Sequence, residues 1–348
     1  MPLVSDVTMC SSRPDSRGNV PIGCEVARVA RVDRGRVTVI TADGDRRVRS
    51  AAALHSATGL AAPAVGDWIA VRGELAMEVL PRRTAFVRNA AGRGSSGQVV
   101  AANVDVVLVV DSLAGSARPR RVERYLAVAW ASGATPVVVL TKADLCPDVT
   151  AAVAAVAEGA IGVEVLPVSA LTGAGLDAVA GLLGPGCTAA MVGPSGVGKS
   201  SLANALAERP VADTADIRDD GRGRHTTTAR QLHVLPGGGF LIDTPGMREL
   251  ALADGEGLDP AFADVAEFAA ACRFRNCAHR TEPGCAVASA IDRGALDPAR
   301  LIAWSKLQAE AHRQELRADA RARSLESARV RALSRQLRAV PGRPHPGR

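Results

Sequence analysis

From Cys24 to about Phe86, apolar and polar positions alternate over short β-prone runs: CEVARVARV, RVTVIT and DWIAVR. Turn signals at Asp33–Gly35, Asp43–Gly44 and Val65–Asp67 separate them, which predicts a small antiparallel barrel of the OB type. A Gly/Ser stretch, AAGRGSSGQ, interrupts the pattern, and a new domain begins near residue 98. There VDVVLVVDS is apolar without alternation, as expected of a strand buried on both faces. A helix around Arg121–Ala131, strand PVVVL, a helix around Val149–Glu158, strand VEVLPVS, a helix around Gly175–Leu183 and strand TAAMVG follow. Such alternation makes an α/β domain with a mainly parallel sheet. After Asp243–Gly246 the chain turns to Ala-rich amphipathic helices broken by a cysteine cluster, then to a long helix from about Pro298. Asp297 supplies its N-cap and Pro298 its first position.

Composition changes this picture in three ways. The 348 residues and 47% hydrophobic content support two or three packed domains. No apolar run reaches the ~18 residues of a membrane span, and the first twenty residues hold no apolar signal segment, so a cytoplasmic protein without membrane contact is expected. The net charge of +6 is unevenly spread, with both ends basic around an acidic middle. Basic ends suit a polyanionic partner, RNA or DNA, although a solvated basic surface has the same composition. Arg28, Arg31, Arg36, Arg46, Arg47 and Arg49 place cations on the barrel strands, where nucleic-acid binding and an ordinary solvated face are equally compatible. Lysine occurs only at Lys142, Lys199 and Lys306, so the two that fall in motifs look chemically required.

Gly193, Pro194, Ser195, Gly196, Val197, Gly198, Lys199 and Ser200 match G-x-x-x-x-G-K-S/T between strand TAAMVG and helix SSLANALAE. Glycines there let backbone N–H groups wrap phosphate, Lys199 reaches the outer phosphates, Ser200 takes Mg²⁺, and Ser201 joins the binding set. Phe240 to Gly246 reads as a strand ending in D-x-x-G, with Asp243 toward the metal and the Gly246 amide toward the terminal phosphate. Thr141, Lys142, Ala143 and Asp144 resemble the N/T-K-x-D signature, in which the carboxylate takes two hydrogen bonds from guanine N1–H and its amine; Thr141 replaces the commoner Asn. Adenine lacks that donor pair, so Asp144 specifies GTP/GDP over ATP, which disfavours an ATP-using enzyme. Ser169 and Ala170 resemble the short motif that closes over the base. Base recognition precedes phosphate binding along the chain, which is a circular permutation. Position 247, where many GTPases carry Gln, is Met; His225, in Gly223-Arg-His-Thr-Thr-Thr228, is therefore the candidate for orienting water. One of those threonines would complete the Mg²⁺ shell; Thr227 stands for them, since the sequence does not separate the three.

Cys272, Cys277, His279 and Cys285 supply three thiolates and one imidazole within fourteen residues, enough for one closed, structural Zn²⁺ site per chain. Cys10, Cys24, Cys146 and Cys187 are scattered, so a disulfide framework is not expected.

The motifs TKAD, SA, GPSGVGKS, GRHTTT and DTPG, preceded by VGDWIAVR and AANVDVVLVV and followed by CRFRNCAHRTEPGCAV, resemble the small-ribosomal-subunit-dependent GTPase A family over roughly residues 22 to 315. The resemblance implies an OB barrel, a permuted P-loop GTPase domain and a C-terminal helical zinc-binding module. It further implies late maturation of the small ribosomal subunit through rRNA contacts, with subunit-stimulated hydrolysis by a monomer. On it rests the expected division: a disordered extension at 1–21, the barrel at 22–95, the GTPase domain at 98–254, the zinc module at 255–318 and an Arg-rich tail at 319–348. The rival is an RNA-binding adaptor holding GTP as a structural ligand.

Overall fold

The computed structural model describes residues 20–41, 43–89, 97–115, 119–212, 230–243, 258–280 and 282–318. His225, Thr227 and Gly246 lie outside the described residues, as do the first nineteen residues and the tail beyond 318.

Strands β1 (Glu25–Asp33), β2 (Arg36–Thr41), β3 (Gly44–Ser50), β4 (Trp68–Arg72) and β5 (Leu75–Val79) close into a barrel in the order β1-β2-β3-β5-β4. All neighbours are antiparallel except β3 and β5. The alternation read in the sequence becomes the inside–outside alternation of the barrel: Val29, Val37, Val39, Val48, Ile69 and Val71 fill it. Helix α1 (Ala52–Ser56) adds Leu54 to that core.

The last barrel strand ends at Val79. Strands β6 (Ala85–Asn89) and β7 (Gly97–Ala102) form a separate antiparallel pair, so the Gly/Ser stretch read as a domain break joins two paired strands. Phe86 and Ala101 of this pair pack into the larger core together with Ala30 and Val65 of the barrel side. The hairpin thus joins the two domains.

Among the described residues, β8 (Val106–Ser112), α2 (Pro119–Ala131), β9 (Thr135–Thr141), α3 (Val149–Ala157), β10 (Val165–Pro167), α4 (Leu176–Leu182), β11 (Thr188–Val192), α5 (Lys199–Ala207), β12 (Gln231–Val234) and β13 (Phe240–Asp243) make the nucleotide-type domain. Its sheet runs β10-β9-β8-β11-β13-β12, parallel except for β12 against β13. Period two explains the unbroken apolar run of β8: Val107 and Val109 face one core with Leu126 of α2, while Val106, Leu108 and Val110 face the other with Leu202 of α5 and Val179 of α4.

The C-terminal helices are α6 (Leu258–Ala261), α7 (Ala263–Ala270), α8 (Ala286–Asp292) and α9 (Pro298–Ala318). As expected, Asp297 caps α9, its carboxylate accepting from the Ala299 amide at 2.8 Å, and Pro298 opens the helix. Phe262, Val265, Val287, Leu296 and Leu307 join the α2 side of the sheet's core, so these helices borrow a core from the neighbouring domain. Among the described residues no helix is long and apolar enough to cross a membrane.

One sequence expectation is corrected. Arg28 is 2% exposed, not a surface cation. Its guanidinium donates to the Asn103 carbonyl and the Thr188 hydroxyl, both at 2.9 Å, and lies 4.7 Å from the Trp68 ring centroid. Burial lowers its pKa to about 10, although Asp105 and Asp67 oppose the shift. Ala27 and Val29 on either side of it fill the barrel, so Arg28 lies on the outer face of β1, where the neighbouring domain covers it and it ties the barrel to the sheet.

Candidate nucleotide site and metal centre

Because the central strands are parallel, their carboxyl ends fall on one edge of the sheet, and the loops leaving them carry the motifs. Gly193 leaves β11 at φ 147°, where an added Cβ would stand 2.2 Å from the Val110 carbonyl oxygen of the adjacent strand. Only glycine lets the loop pass so close to β8. Gly196 and Gly198 also adopt positive φ, and Gly198 is the N-cap of α5, whose first residue is Lys199. The Lys199 ammonium donates to the Gly193 carbonyl at 2.9 Å and the Pro194 carbonyl at 2.5 Å. Pro194, Ser195 and Val197 complete the turn, and Ser200 and Ser201 occupy the first turn of α5. Amides and helix terminus there form a cradle that could hold phosphate.

The loops at 141–144 and 169–170 are built onto this cradle. Thr141 ends β9; its hydroxyl donates to the Val197 carbonyl of the phosphate loop and lies 3.2 Å from the Asp111 carbonyl. The hydroxyl that replaces the usual Asn amide is thus used to fix the phosphate loop. Lys142 follows in left-handed conformation, φ 58°, and its ammonium reaches the Gly196 carbonyl at 3.1 Å. Ala143 donates its amide to the Val168 carbonyl at 3.1 Å, which joins this loop to the next. Across that join the Ser169 hydroxyl donates to Asp144 Oδ1, presetting the carboxylate, while Ala170 follows at the turn. Asp243 ends β13, whose Ile242 pairs with Ala190 of β11, the strand that leads into the phosphate loop.

One part of this site escaped the sequence reading. Asp111, 1% exposed at the end of β8, is held by Arg121 of α2, with Nη2 to Oδ1 at 2.5 Å and Nε to Oδ2 at 3.2 Å. The signal available was a carboxylate closing an otherwise apolar strand, with an arginine ten residues on in the following helix. The pair anchors α2 to the end of β8, whose Asp111 carbonyl is the one beside the Thr141 hydroxyl.

At the other end of the chain the ligand atoms of Cys272, Cys277, His279 and Cys285 all lie within 4.8 Å of one another. His279 Nδ1 stands 3.6 Å from both Cys272 Sγ and Cys285 Sγ, and those sulfurs are 3.9 Å apart. A tetrahedron with Zn–S of ~2.3 Å and Zn–N of ~2.05 Å has edges of about 3.6 Å for S···N and about 3.8 Å for S···S. Three of the four donors therefore stand at the spacing of a tetrahedral zinc site, and the chemistry of the full set is one that could hold the metal. The local fold supports the ligands: His279 sits at φ 56° with its ring 5.6 Å from that of Trp304, and the Cys285 sulfur caps α8 by accepting from the Ala288 amide at 3.3 Å. Burial pushes the Cys277 thiol up to about 11, with Cys285 and Cys272 adding to the rise, which a divalent cation among them would reverse.

On the barrel, Arg31, Arg36, Arg47 and Arg49 are exposed, whereas Arg46 is half-buried and paired with Glu25. Asp33 pairs with Arg31 and Arg47. Arg36 stands directly opposite Arg49 across β2 and β3, a like-charge pairing that costs stability unless an anion lies over it.

The profile of the RsgA GTPase family matches residues 79–253. A Streptomyces coelicolor protein described as small ribosomal subunit biogenesis GTPase RsgA is 52% identical over 306 residues, covering 85% of this chain and 83% of that one. One of the same description from Methanosarcina acetivorans is 43% identical over 293 residues, covering 81% and 79%. Among solved structures, YjeQ from Thermotoga maritima aligns with a TM-score of 0.59 at 24% identity, over 83% of this chain and 98% of that one. YloQ, a circularly permuted GTPase, aligns at 0.60 and 24%, over 86% and 99%.

Proposed function

The chain belongs to the RsgA GTPase family and is a GTP hydrolase, and from that premise we propose that it is a late-stage maturation factor of the small ribosomal subunit whose turnover that subunit stimulates. Small ribosomal subunit biogenesis is what the names of its relatives state. The observation that carries the proposal is the joining of Asp144, Ser169, Thr141 and the phosphate loop on one sheet edge, in a chain that also presents a basic barrel face and an arginine-bearing metal loop.

In this proposal Asp144, held by Ser169, accepts from guanine N1–H and its exocyclic amine, and Thr141 keeps the base and phosphate loops in register. Lys199 turns from the loop carbonyls to the outer phosphates, while Ser200, Thr227 and Asp243 would hold Mg²⁺, which supplies charge neutralisation at the transferred phosphoryl group. Gly246 senses the terminal phosphate and His225 orients water. Cys272, Cys277, His279 and Cys285 hold one structural Zn²⁺ that pins the 272–285 loop. The domain division proposed is the barrel with the strand that follows it at 22–95, the GTPase domain at 98–254 and the zinc module at 255–318. The protein works as a cytoplasmic monomer on rRNA. Because the D-x-x-G motif directly precedes the zinc module in the sequence, movement of Gly246 on hydrolysis would pull on that module and change affinity for the subunit, with a coupling of ~1–3 kcal/mol.

The test is GTP hydrolysis by the purified protein with and without isolated small subunits at matched moderate salt, since charge-driven binding is salt-sensitive. Stimulation specific to that subunit supports the proposal. Slow turnover unaffected by the subunit would point instead to the adaptor role.

A further inference from the structure

We propose that the metal loop presents Phe274 as a stacking platform for one unpaired RNA base, with Arg273, Arg275 and Arg280 on the flanking phosphates. The inference rests on the reading of RNA as partner and specifies where and in what form it is touched. Phe274 is 42% exposed. A lone exposed apolar residue needs no explanation, but three features set this one apart.

First, it is rigidly mounted. Cys272 and Cys277 bracket it, the Arg273 amide donates to the Gly284 carbonyl at 3.2 Å, and the Cys277 amide donates to the Phe274 carbonyl at 3.2 Å. An aromatic side chain on a fixed backbone has only two torsions to order, so it loses little entropy on binding. Second, the Arg273 guanidinium lies over the Phe274 ring, 5.4 Å from its centroid, so the cation backs one face and a base would stack on the other. Third, Arg273, Arg275 and Arg280 are all exposed, and none is paired with a carboxylate among the described residues. The nearby Glu282 carboxylate is engaged by the backbone amides of Ala278 at 3.0 Å and Arg280 at 2.9 Å. The loop therefore keeps a positive surplus around a single aromatic face, complementary to a base with its adjoining phosphates. Bases within a duplex are already stacked on each other, so the fitting ligand is single-stranded or looped RNA.

The test uses the full-length zinc-loaded protein, with short single-stranded oligoadenylate and an RNA duplex of equal length as probes. Phe274→Trp places a fluorophore at the site, and quenching by oligoadenylate, beyond any seen in the parent protein, is expected. Phe274→Leu, which keeps the apolar bulk but has no aromatic face, should weaken single-strand binding roughly 5- to 100-fold and duplex binding little. Phe274→Tyr should retain affinity. Arg275→Gln should lower the slope of log affinity against log salt by about one unit. No added quenching in the Phe274→Trp variant, with unchanged affinity in Phe274→Leu, overturns the proposal. Equal competition by polyglutamate overturns it too, since that would mark a surface reading charge alone. Zinc content and binding of guanine nucleotide check that each variant is folded. Failure to bind or respond to small subunits while oligoadenylate still quenches would defeat the proposed function and leave the platform standing.

Discussion

Arg300→Ala is the sharpest perturbation of the join between the nucleotide domain and the C-terminal helices. The Arg300 guanidinium, 5% exposed on α9, reaches Glu123 of α2 at 3.1 Å and both Asp264 oxygens at 2.6 and 2.8 Å. It also donates to the Gly159 carbonyl at 3.1 Å and the Ala261 carbonyl at 3.3 Å, and stacks 4.7 Å from the Phe262 centroid. Burial works to lower its pKa, but Asp264 and Glu123 outweigh it and hold the value above that of a free arginine. Removing the cation leaves Glu123, 1% exposed, with Arg120 at 2.7 Å as its remaining ionic partner. Stranding a buried charge costs about 3–5 kcal/mol. Asp264 is 23% exposed and can rehydrate, and Arg120 still neutralises Glu123, so the lower end, about 3 kcal/mol, is expected. Urea unfolding followed by fluorescence of Trp130 on α2 and Trp304 on α9 measures it. Arg300→Met combined with Glu123→Leu should recover most of the loss, because an apolar pair carries no desolvated charge. A cost below about 1 kcal/mol for Arg300→Ala, or a double variant no better than the single, would refute the reasoning.

Asp144→Ala should weaken GDP binding by on the order of 100-fold or more, at about 1.5–3 kcal/mol for each of two charged hydrogen bonds, and erase the preference over ADP in competition titrations. Gly193→Ala should disrupt the phosphate loop, since the new Cβ meets the Val110 carbonyl oxygen at 2.2 Å; loss of nucleotide affinity exceeding that of Gly184→Ala, where a Cβ meets nothing within 4 Å, is the readout. Cys285→Ser should abolish binding of one zinc per chain and expose the 272–285 loop to protease, with GDP affinity largely kept. His233 is buried on β12, and burial, then Arg209, lowers its pKa from 6.5. The folded state therefore binds fewer protons, so stability is full above about pH 6.5 and declines as the pH falls through the depressed folded value. His233→Gln should flatten that decline in thermal melts taken between about pH 7 and 5.

The motif residues were legible because their chemistry demands particular side chains at fixed spacing. A Gly at 193 serves an approach that no Cβ survives, the Asp144 carboxylate is preset by the Ser169 hydroxyl, and three cysteines with His279 gather as a group that could hold a metal. The alternation from Cys24 onward foretold a barrel, and the unbroken run ending at Ser112 foretold a doubly covered strand, since period two and burial are local properties of a strand. What spacing could not carry was partnership at a distance. Arg28 has the same local pattern as Arg31, yet one is buried against Thr188, 160 residues away, and the other is solvated. The Gly/Ser stretch after Asn89 reads as a linker until β6 and β7 are seen to pair across it. Asp111 with Arg121, and Arg300 with Glu123 and Asp264, exist as pairs only once α2 lies on the sheet and α9 on α2. The sequence by itself determined the chemistry of each motif and the elements that carry it. Tertiary structure decided which charges are buried, because burial depends on the neighbour that covers a residue, and that neighbour comes from elsewhere in the chain.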